Sequence, residues 1–186
     1  PDVITYNAMM TVCEKSGQWE KAVGLFDDLR QRGLEPDVVA YNAMISACKR
    51  DGKWQQALGV FDDLRRHGLE PTVVTYGALI SACDKQWEKA LELFNELKEK
   101  QQPNVIVYNA MLSAFAKAGQ WEKAFDVFEE MREQFTPDAI TYNALISACG
   151  KGGQWEKAFE VFDELKQCGV EPTTITFNTM ISACEK

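Results

Sequence analysis

One short block returns along the whole chain: VITYNAMM from Val3, VVAYNAMI from Val38, VVTYGALI from Val73, VIVYNAML from Val105, AITYNALI from Ala139 and TITFNTMI from Thr174. A second block keeps step with it, reading GQWEKAVGLF, GKWQQALGVF, KQWEKALELF, GQWEKAFDVF and GQWEKAFEVF. A period of about 35 residues made of two blocks limits the fold severely, because a unit that small cannot bury its own apolar surface and has to stack on its neighbours. The units run 3–37, 38–72, 73–104, 105–138 and 139–173, with a partial sixth at 174–186.

Both blocks are helical in pattern. Counted from the first residue of a unit, the first block has apolar residues at positions 4, 7, 8 and 11, as in Tyr6, Met9, Met10 and Cys13, which is one face of a helix. The second has them at 17, 20, 21, 24 and 27, as in Trp19, Ala22, Val23, Phe26 and Leu29. Turn signals separate the two, at Ser16-Gly17, Asp51-Gly52, Ala118-Gly119 and Gly152-Gly153, and a Gly followed by a Pro, such as Gly33 and Pro36, closes the unit. Position 10 is small in Ala47, Ala82, Ala114, Ala148 and Ala183, with Val12 as the exception, so neighbouring first helices can approach closely. The expectation is an all-α chain, a right-handed α-α superhelix or solenoid of about five helix-turn-helix repeats plus one extra helix, forming a single array over 1–186. The tryptophans Trp19, Trp54, Trp87, Trp121 and Trp155 read as ribs of its core. The third unit departs from the rule, since Asp84-Lys85-Gln86-Trp87 has a shortened turn. Met180, Ile181 and Cys184 belong to a first helix whose second helix is absent, which reads as an excerpt of a longer array.

At 186 residues and 46% hydrophobic the chain can bury a sizeable core, and its apolar runs are far shorter than the ~20 residues that cross a bilayer, so no membrane insertion is expected. Pro1-Asp2 already leads into the first block and no targeting leader is read there. Five of the six cysteines, Cys13, Cys48, Cys83, Cys149 and Cys184, recur at one position of the unit, and Cys168 stands apart. One thiol per hairpin packs in a core; it does not assemble a disulfide framework or a zinc site, and no metal or other cofactor is expected. Phosphate-binding, zinc-protease and deaminase motifs are absent, the single histidine is His67, and the carboxylate pairs recur in successive units as a surface feature. No catalytic residue is therefore assigned, and the chain is read as a non-enzyme.

The first block, P-D/T/N-x-(V/I)-x-Y-N-(A/T)-(M/L)-I, together with A-x-x-x-F-(D/E)-(D/E)-(L/M) in the second and the 35-residue period, closely resembles the pentatricopeptide repeat family over essentially the whole chain. The tetratricopeptide signature W-x-x-L-G-x-x-Y is missing from the first helix. The resemblance implies that each repeat faces one nucleotide of single-stranded RNA and reads it with its fifth and last residues, by hydrogen bonds to an unpaired base edge. Carried over, the pairs are Asn7 with Asp37, Asn42 with Thr72, Gly77 with Asn104, Asn109 with Asp138 and Asn143 with Thr173, and the sixth start supplies Asn178. Asn with Asp resembles the family's uracil pair, Asn with Thr implies a pyrimidine, and Gly77 offers no side chain, so the implied pyrimidine-rich target is 5′-U-Y-N-U-Y-3′. The second residues, Ile4, Val39, Val74, Ile106, Ile140 and Ile175, would sandwich the bases. Processing, stability or translation of RNA in a mitochondrion or chloroplast follows from the resemblance alone.

Charge bears on this reading in two ways. A net charge of −8 and a pI near 4.8 oppose a generally basic surface. The acid is unevenly placed, however: in the first-helix blocks Lys15, Lys49, Arg50, Lys85, Lys117, Lys151 and Lys186 outnumber Glu14, Asp51, Asp84 and Glu185. Position 13 is basic in every unit, at Lys15, Arg50, Lys85, Lys117, Lys151 and Lys186, a stripe suited to a phosphate backbone. Cations at helix C-termini are also favourable by ~0.3–1 kcal/mol in their own right. The pairs Asp27-Asp28, Asp62-Asp63, Glu129-Glu130 and Asp163-Glu164 read as a solvated outer face. Such a face leaves an alternative open, a scaffold that docks proteins of a large organellar assembly, a ribosome or an energy-transducing complex, and reads no RNA.

Overall fold

A computed structural model describes residues 1–49 and 52–185. Among them the chain forms eleven α-helices and no strand: α1 (Val3–Ser16), α2 (Trp19–Gln31), α3 (Val38–Lys49), α4 (Trp54–Arg66), α5 (Val73–Ala82), α6 (Trp87–Lys100), α7 (Val105–Ala118), α8 (Trp121–Arg132), α9 (Ala139–Lys151), α10 (Trp155–Gln167) and α11 (Thr174–Cys184). The fold class expected from the periodicity is the one found, helical hairpins in series, each first helix starting where its block starts.

The chain divides into two compact units, one of Pro1–Cys83 with Asn95–Gln102, the other of Asp84–Phe94 with Pro103–Lys186. In the first, α1 packs on α3 and α3 on α5, while α2 lies against both α1 and α3 and α4 against both α3 and α5. The second repeats the scheme, with α7, α9 and α11 stacked in turn and α8 and α10 each wedged between consecutive first helices. Small side chains allow the stacking: Ala47, Ala82, Ala114, Ala148 and Ala183 are buried, whereas Val12 on the first helix is exposed. Between α9 and α11 the approach is close enough that a Cβ added to Gly150 would lie 2.7 Å from that of Ala183. Gly17 and Gly119 end α1 and α7 at φ of 69° and 68°, the left-handed turn that a side chain would strain.

Tyrosines and phenylalanines, not tryptophans, are the large ribs of the core. Tyr6, Tyr41, Tyr76, Tyr108 and Tyr142 are at most 2% exposed, and Phe26, Phe61, Phe94 and Phe128 each meet the tyrosine of the following block at ring-centroid distances of 5.1, 5.5, 5.5 and 5.6 Å. Trp19, Trp54, Trp87 and Trp121 are only half-buried and Trp155 is exposed, which corrects the expectation from sequence. Each tryptophan opens a second helix, at the rim of the layer, where a lysine of the next hairpin can cover its face; Lys53 Nζ lies 3.5 Å from the Trp19 ring centroid and Lys157 Nζ 5.2 Å from that of Trp121.

The carboxylate pairs are corrected as well. The second member of each accepts a hydrogen bond from the buried tyrosine hydroxyl of its own hairpin: Tyr6 to Asp28, Tyr41 to Asp63 at 3.0 Å, Tyr108 to Glu130 at 2.9 Å and Tyr142 to Glu164 at 3.4 Å. In the third repeat the acceptor is Glu96, 2.8 Å from Tyr76. Only the first members, Asp27, Asp62, Glu129 and Asp163, stand exposed. Four of the recurring cysteines are buried as expected, but Cys184 is exposed, like Ile181, on the side of α11 that no second helix covers among the described residues. None of the six cysteines is in a disulfide among the described residues.

Candidate nucleic-acid interface

The face of each first helix opposite its tyrosine carries the second and fifth residues of the repeat. Because they are three apart they lie side by side on a helix. The second residues are large apolar side chains left in solvent: Ile4, Val39, Val74, Ile106, Ile140 and Ile175 are between 55% and 77% exposed. Ordinary helix packing would have buried them.

The fifth residues differ in burial. Asn7, Asn42, Asn109 and Asn143 are half-buried, Gly77 is buried and Asn178 is exposed. Asn7 Nδ2 donates to both carboxylate oxygens of Asp37, at 3.0 and 3.1 Å, so the first repeat's implied pair is in direct contact. Asn109 makes no such contact with Asp138. Its Oδ1 instead accepts from the hydroxyl of Thr141 at 2.8 Å, and Thr141 is in turn 3.0 Å from Asp138 Oδ1. The carbonyl oxygens of Asn7, Asn42 and Asn143 are buried without a hydrogen-bond partner among the described residues.

The last residue of every repeat has a local task that the sequence reading did not include. Asp37, Thr72, Asn104, Asp138 and Thr173 each accept a hydrogen bond from the backbone N–H three residues on, at Ala40, Thr75, Val107, Thr141 and Thr176, and so cap the next first helix. Asp2 does the same for α1, through Thr5. In α5, α9 and α11 the Thr at the third helical position returns the bond to the cap's own N–H, which closes a capping box. The signal was legible in the aligned blocks, where Thr5, Thr75, Thr141 and Thr176 recur at one position while Ala40 and Val107 break the series.

Of the position-13 cations, Lys15, Lys85, Lys117 and Lys151 are exposed near the ends of their first helices. Lys117 is ion-paired with Asp84. Arg50 and Lys186 lie outside the described residues. Elsewhere, among the described residues, no group of acidic, His or Cys side chains is arranged to hold a metal, and no helix is long and apolar enough to cross a membrane. His67, at the end of α4, is engaged by Arg30 at 3.0 Å and by the carbonyl of Asp63 at 2.8 Å.

Comparison with known proteins bears on the identity of these hairpins. A model described as pentatricopeptide repeat domain matches residues 24–86 and 92–152, one described as PPR repeat family matches 137–186, and one described as PPR repeat matches 4–34 and 74–101. A search of curated sequences finds no match. Among solved structures, the pentatricopeptide repeat protein PPR10 from maize superposes with a TM-score of 0.83 at 33% identity, over 98% of this chain and 27% of its own. The same maize protein in complex with an 18-nucleotide psaJ RNA element gives 0.72 at 29% identity, over 100% of this chain and 31% of its own. The PPR domain of protein-only RNase P 1 from Arabidopsis thaliana, in complex with tRNA, gives 0.75 at 18% identity over 96% of each chain, a likeness of fold alone. The chain thus spans about a quarter of the maize protein's length, at 27%. Repeating blocks, stacked hairpins and family models covering most of the sequence agree that this chain belongs to the pentatricopeptide repeat family.

Proposed function

We propose that this chain binds single-stranded RNA, one base per repeat, and performs no chemistry on it. The observation that carries the reading is the set of exposed branched side chains, Ile4, Val39, Val74, Ile106, Ile140 and Ile175, each three residues from the fifth position of its repeat. An exposed apolar clamp beside an amide matches what an unpaired base offers, a flat apolar face with a hydrogen-bonding edge. The maize relative, whose structure was solved with an RNA element, supports the same assignment.

The base readers are then Asn7 with Asp37, Asn42 with Thr72, Gly77 with Asn104, Asn109 with Asp138, and Asn143 with Thr173, and Asn178 begins a sixth. Lys15, Lys85, Lys117 and Lys151 are the phosphate contacts, Lys117 after exchanging Asp84 for the strand, and the sequence register adds Arg50 and Lys186, which lie outside the described residues. Taken in chain order the target is 5′-U-Y-N-U-Y-3′. A place in organellar RNA processing, stability or translation, in a mitochondrion or chloroplast, rests on family membership. Five base contacts at roughly 1–3 kcal/mol each are set against an association cost of about 4–15 kcal/mol, so binding is best sought at low salt.

Selection of short RNAs on the purified chain tests the proposal. It should return pyrimidine-rich single strands whose affinity falls steeply with salt, and Asn109→Ser beside Asp138 should move the preference at one base from U toward G. Indifference to base sequence before and after that change would sink the one-base-per-repeat reading. No measurable RNA affinity, with recovery of a defined protein complex through Asp27, Asp62, Glu129 and Asp163, would favour the scaffold instead.

A further inference from the structure

Two repeats carry the same implied pair, Asn with Asp, yet they are built differently. In the first, Asn7 donates directly to Asp37, the third residue of the next helix is Ala40, and the inward Oδ1 of Asn7 has no partner among the described residues. In the fourth, the third residue of the next helix is Thr141, fully buried, and its hydroxyl lies 2.8 Å from Asn109 Oδ1. That hydroxyl has one hydrogen and two neighbouring acceptors. Asn109 Oδ1 is the nearer, Asp138 Oδ1 lying at 3.0 Å, and Asp138 N–H approaches the same hydroxyl from behind at 3.4 Å. Beside a threonine cap a threonine at the same position does not suffice: Thr75 and Thr176 turn to Thr72 and Thr173, and Asn42 and Asn143 keep a buried, unpartnered Oδ1, whereas the first repeat, like the fourth, has an aspartate cap, Asp37.

We infer that Thr141 is a specificity-determining positioning residue for the fourth repeat: by donating to Asn109 Oδ1 it holds the amide oxygen inward and presents the NH2 end to the base. This rests on the base-reading function proposed above. A base that offers an acceptor is then favoured over one that offers a donor at the same place, which distinguishes the uracil O4 from the cytosine N4 amino group. With nothing to hold it, an amide can rotate and offer either end, so it accepts either pyrimidine. The first repeat has only the carboxylate of Asp37 to hold its amide, and that carboxylate also caps α3 through Ala40 N–H at 2.9 Å.

The chain supplies its own controls, because Ala and Thr both occur at this position, so Thr141→Ala and Ala40→Thr each copy the residue of an existing repeat. Short oligoribonucleotides that carry U or C at only the base facing the first or the fourth repeat are titrated against the wild type, Thr141→Ala, Thr141→Ser and Ala40→Thr, with melting curves for each. Loss of one such hydrogen bond should lower the U-over-C ratio at the fourth base by about two- to tenfold in Thr141→Ala. Thr141→Ser should retain the ratio, and Ala40→Thr should raise it at the first base. A uniform fall in affinity with an unchanged ratio at the fourth base, or a ratio that Thr141→Ser fails to keep, overturns the inference while leaving base reading intact. A wild type that binds none of the oligoribonucleotides defeats the function itself, and this inference with it.

Discussion

The fourth and fifth residues of each repeat are neighbours in sequence, about 100° apart around the helix, and they behave differently. Tyr6, Tyr41, Tyr76, Tyr108 and Tyr142 are buried alike, and each donates to a carboxylate of its own second helix. The fifth residues do not share a setting: the NH2 of Asn7 is held by a carboxylate, the Oδ1 of Asn109 by a hydroxyl, the Oδ1 of Asn7, Asn42 and Asn143 has no partner among the described residues, Asn178 is exposed and the remaining one is glycine. Uniformity on one side serves stacking, where every junction poses the same problem. Variation on the other is what a surface that distinguishes ligands needs.

Truncation of the tyrosine should separate the two sides most sharply. Tyr108→Ala removes a fully buried ring that packs against Phe94 and Phe135, and should cost about 3–5 kcal/mol in urea unfolding, the range for large aromatic deletions. A cost below about 1 kcal/mol would mean that the tyrosine side is not where the stacking energy lies. Smaller is the loss of the hydroxyl alone: Tyr108→Phe should cost about 1 kcal/mol, since Glu130 stays within reach of water.

The same bonds set a pH response. Burial, then the bond to Asp63, pushes Tyr41 up to about 12 from the ordinary 10.0, and Tyr76, Tyr108 and Tyr142 rise for the same leading reason, burial. A group whose folded value is raised contributes stability below its unfolded value and loses it as pH climbs toward the folded one. Unfolding midpoints should therefore fall above pH 10.0, and tyrosine ionisation followed by absorbance should lag behind that of the unfolded chain. Burial works to raise Glu96, but bonds from Lys100 and Tyr76 and the charge of Arg65 bring it below 4.5, so its contribution is lost on the acid side as pH falls below that value.

On the facing side the sign should reverse. Asn42→Ala and Asn143→Ala remove half-buried amides with an unpartnered oxygen and substitute the best helix former, so each should gain up to about 0.5–1 kcal/mol while pyrimidine preference at its base disappears. The smallest effect on folding belongs to Ile140→Ala, within about 0.5 kcal/mol because the side chain is 65% exposed, although RNA affinity should drop several-fold. If Ile140→Ala unfolded the chain as Tyr108→Ala does, the division between a stacking side and a reading side would collapse.

Helix number, order and starting points were legible in the sequence because periodicity reports which face is buried. Partners within that face were not. The spacing of the tryptophans matches a buried stripe, yet their place at the first turn of each second helix leaves them at the rim. The carboxylate pairs look alike in sequence, and only the packed tyrosine separates Asp28 from Asp27 or Glu130 from Glu129. Among the site residues, the outward direction of Ile106 and Ile140 followed from the register. The contact of Thr141 with Asn109 did not, because Thr75 and Thr176 occupy the same register and turn elsewhere.

The duty of Asp37, Thr72, Asn104, Asp138 and Thr173 at the start of the next helix limits the alphabet available to a repeat. Short side chains with an oxygen close to the backbone start a helix best, so a letter such as Lys, Leu or Phe at the end of a repeat would cost about 0.5–2 kcal/mol of helix stability whatever it did for a ligand. Under the proposed base reading, the spelling of such a chain answers to helix initiation as well as to the ligand.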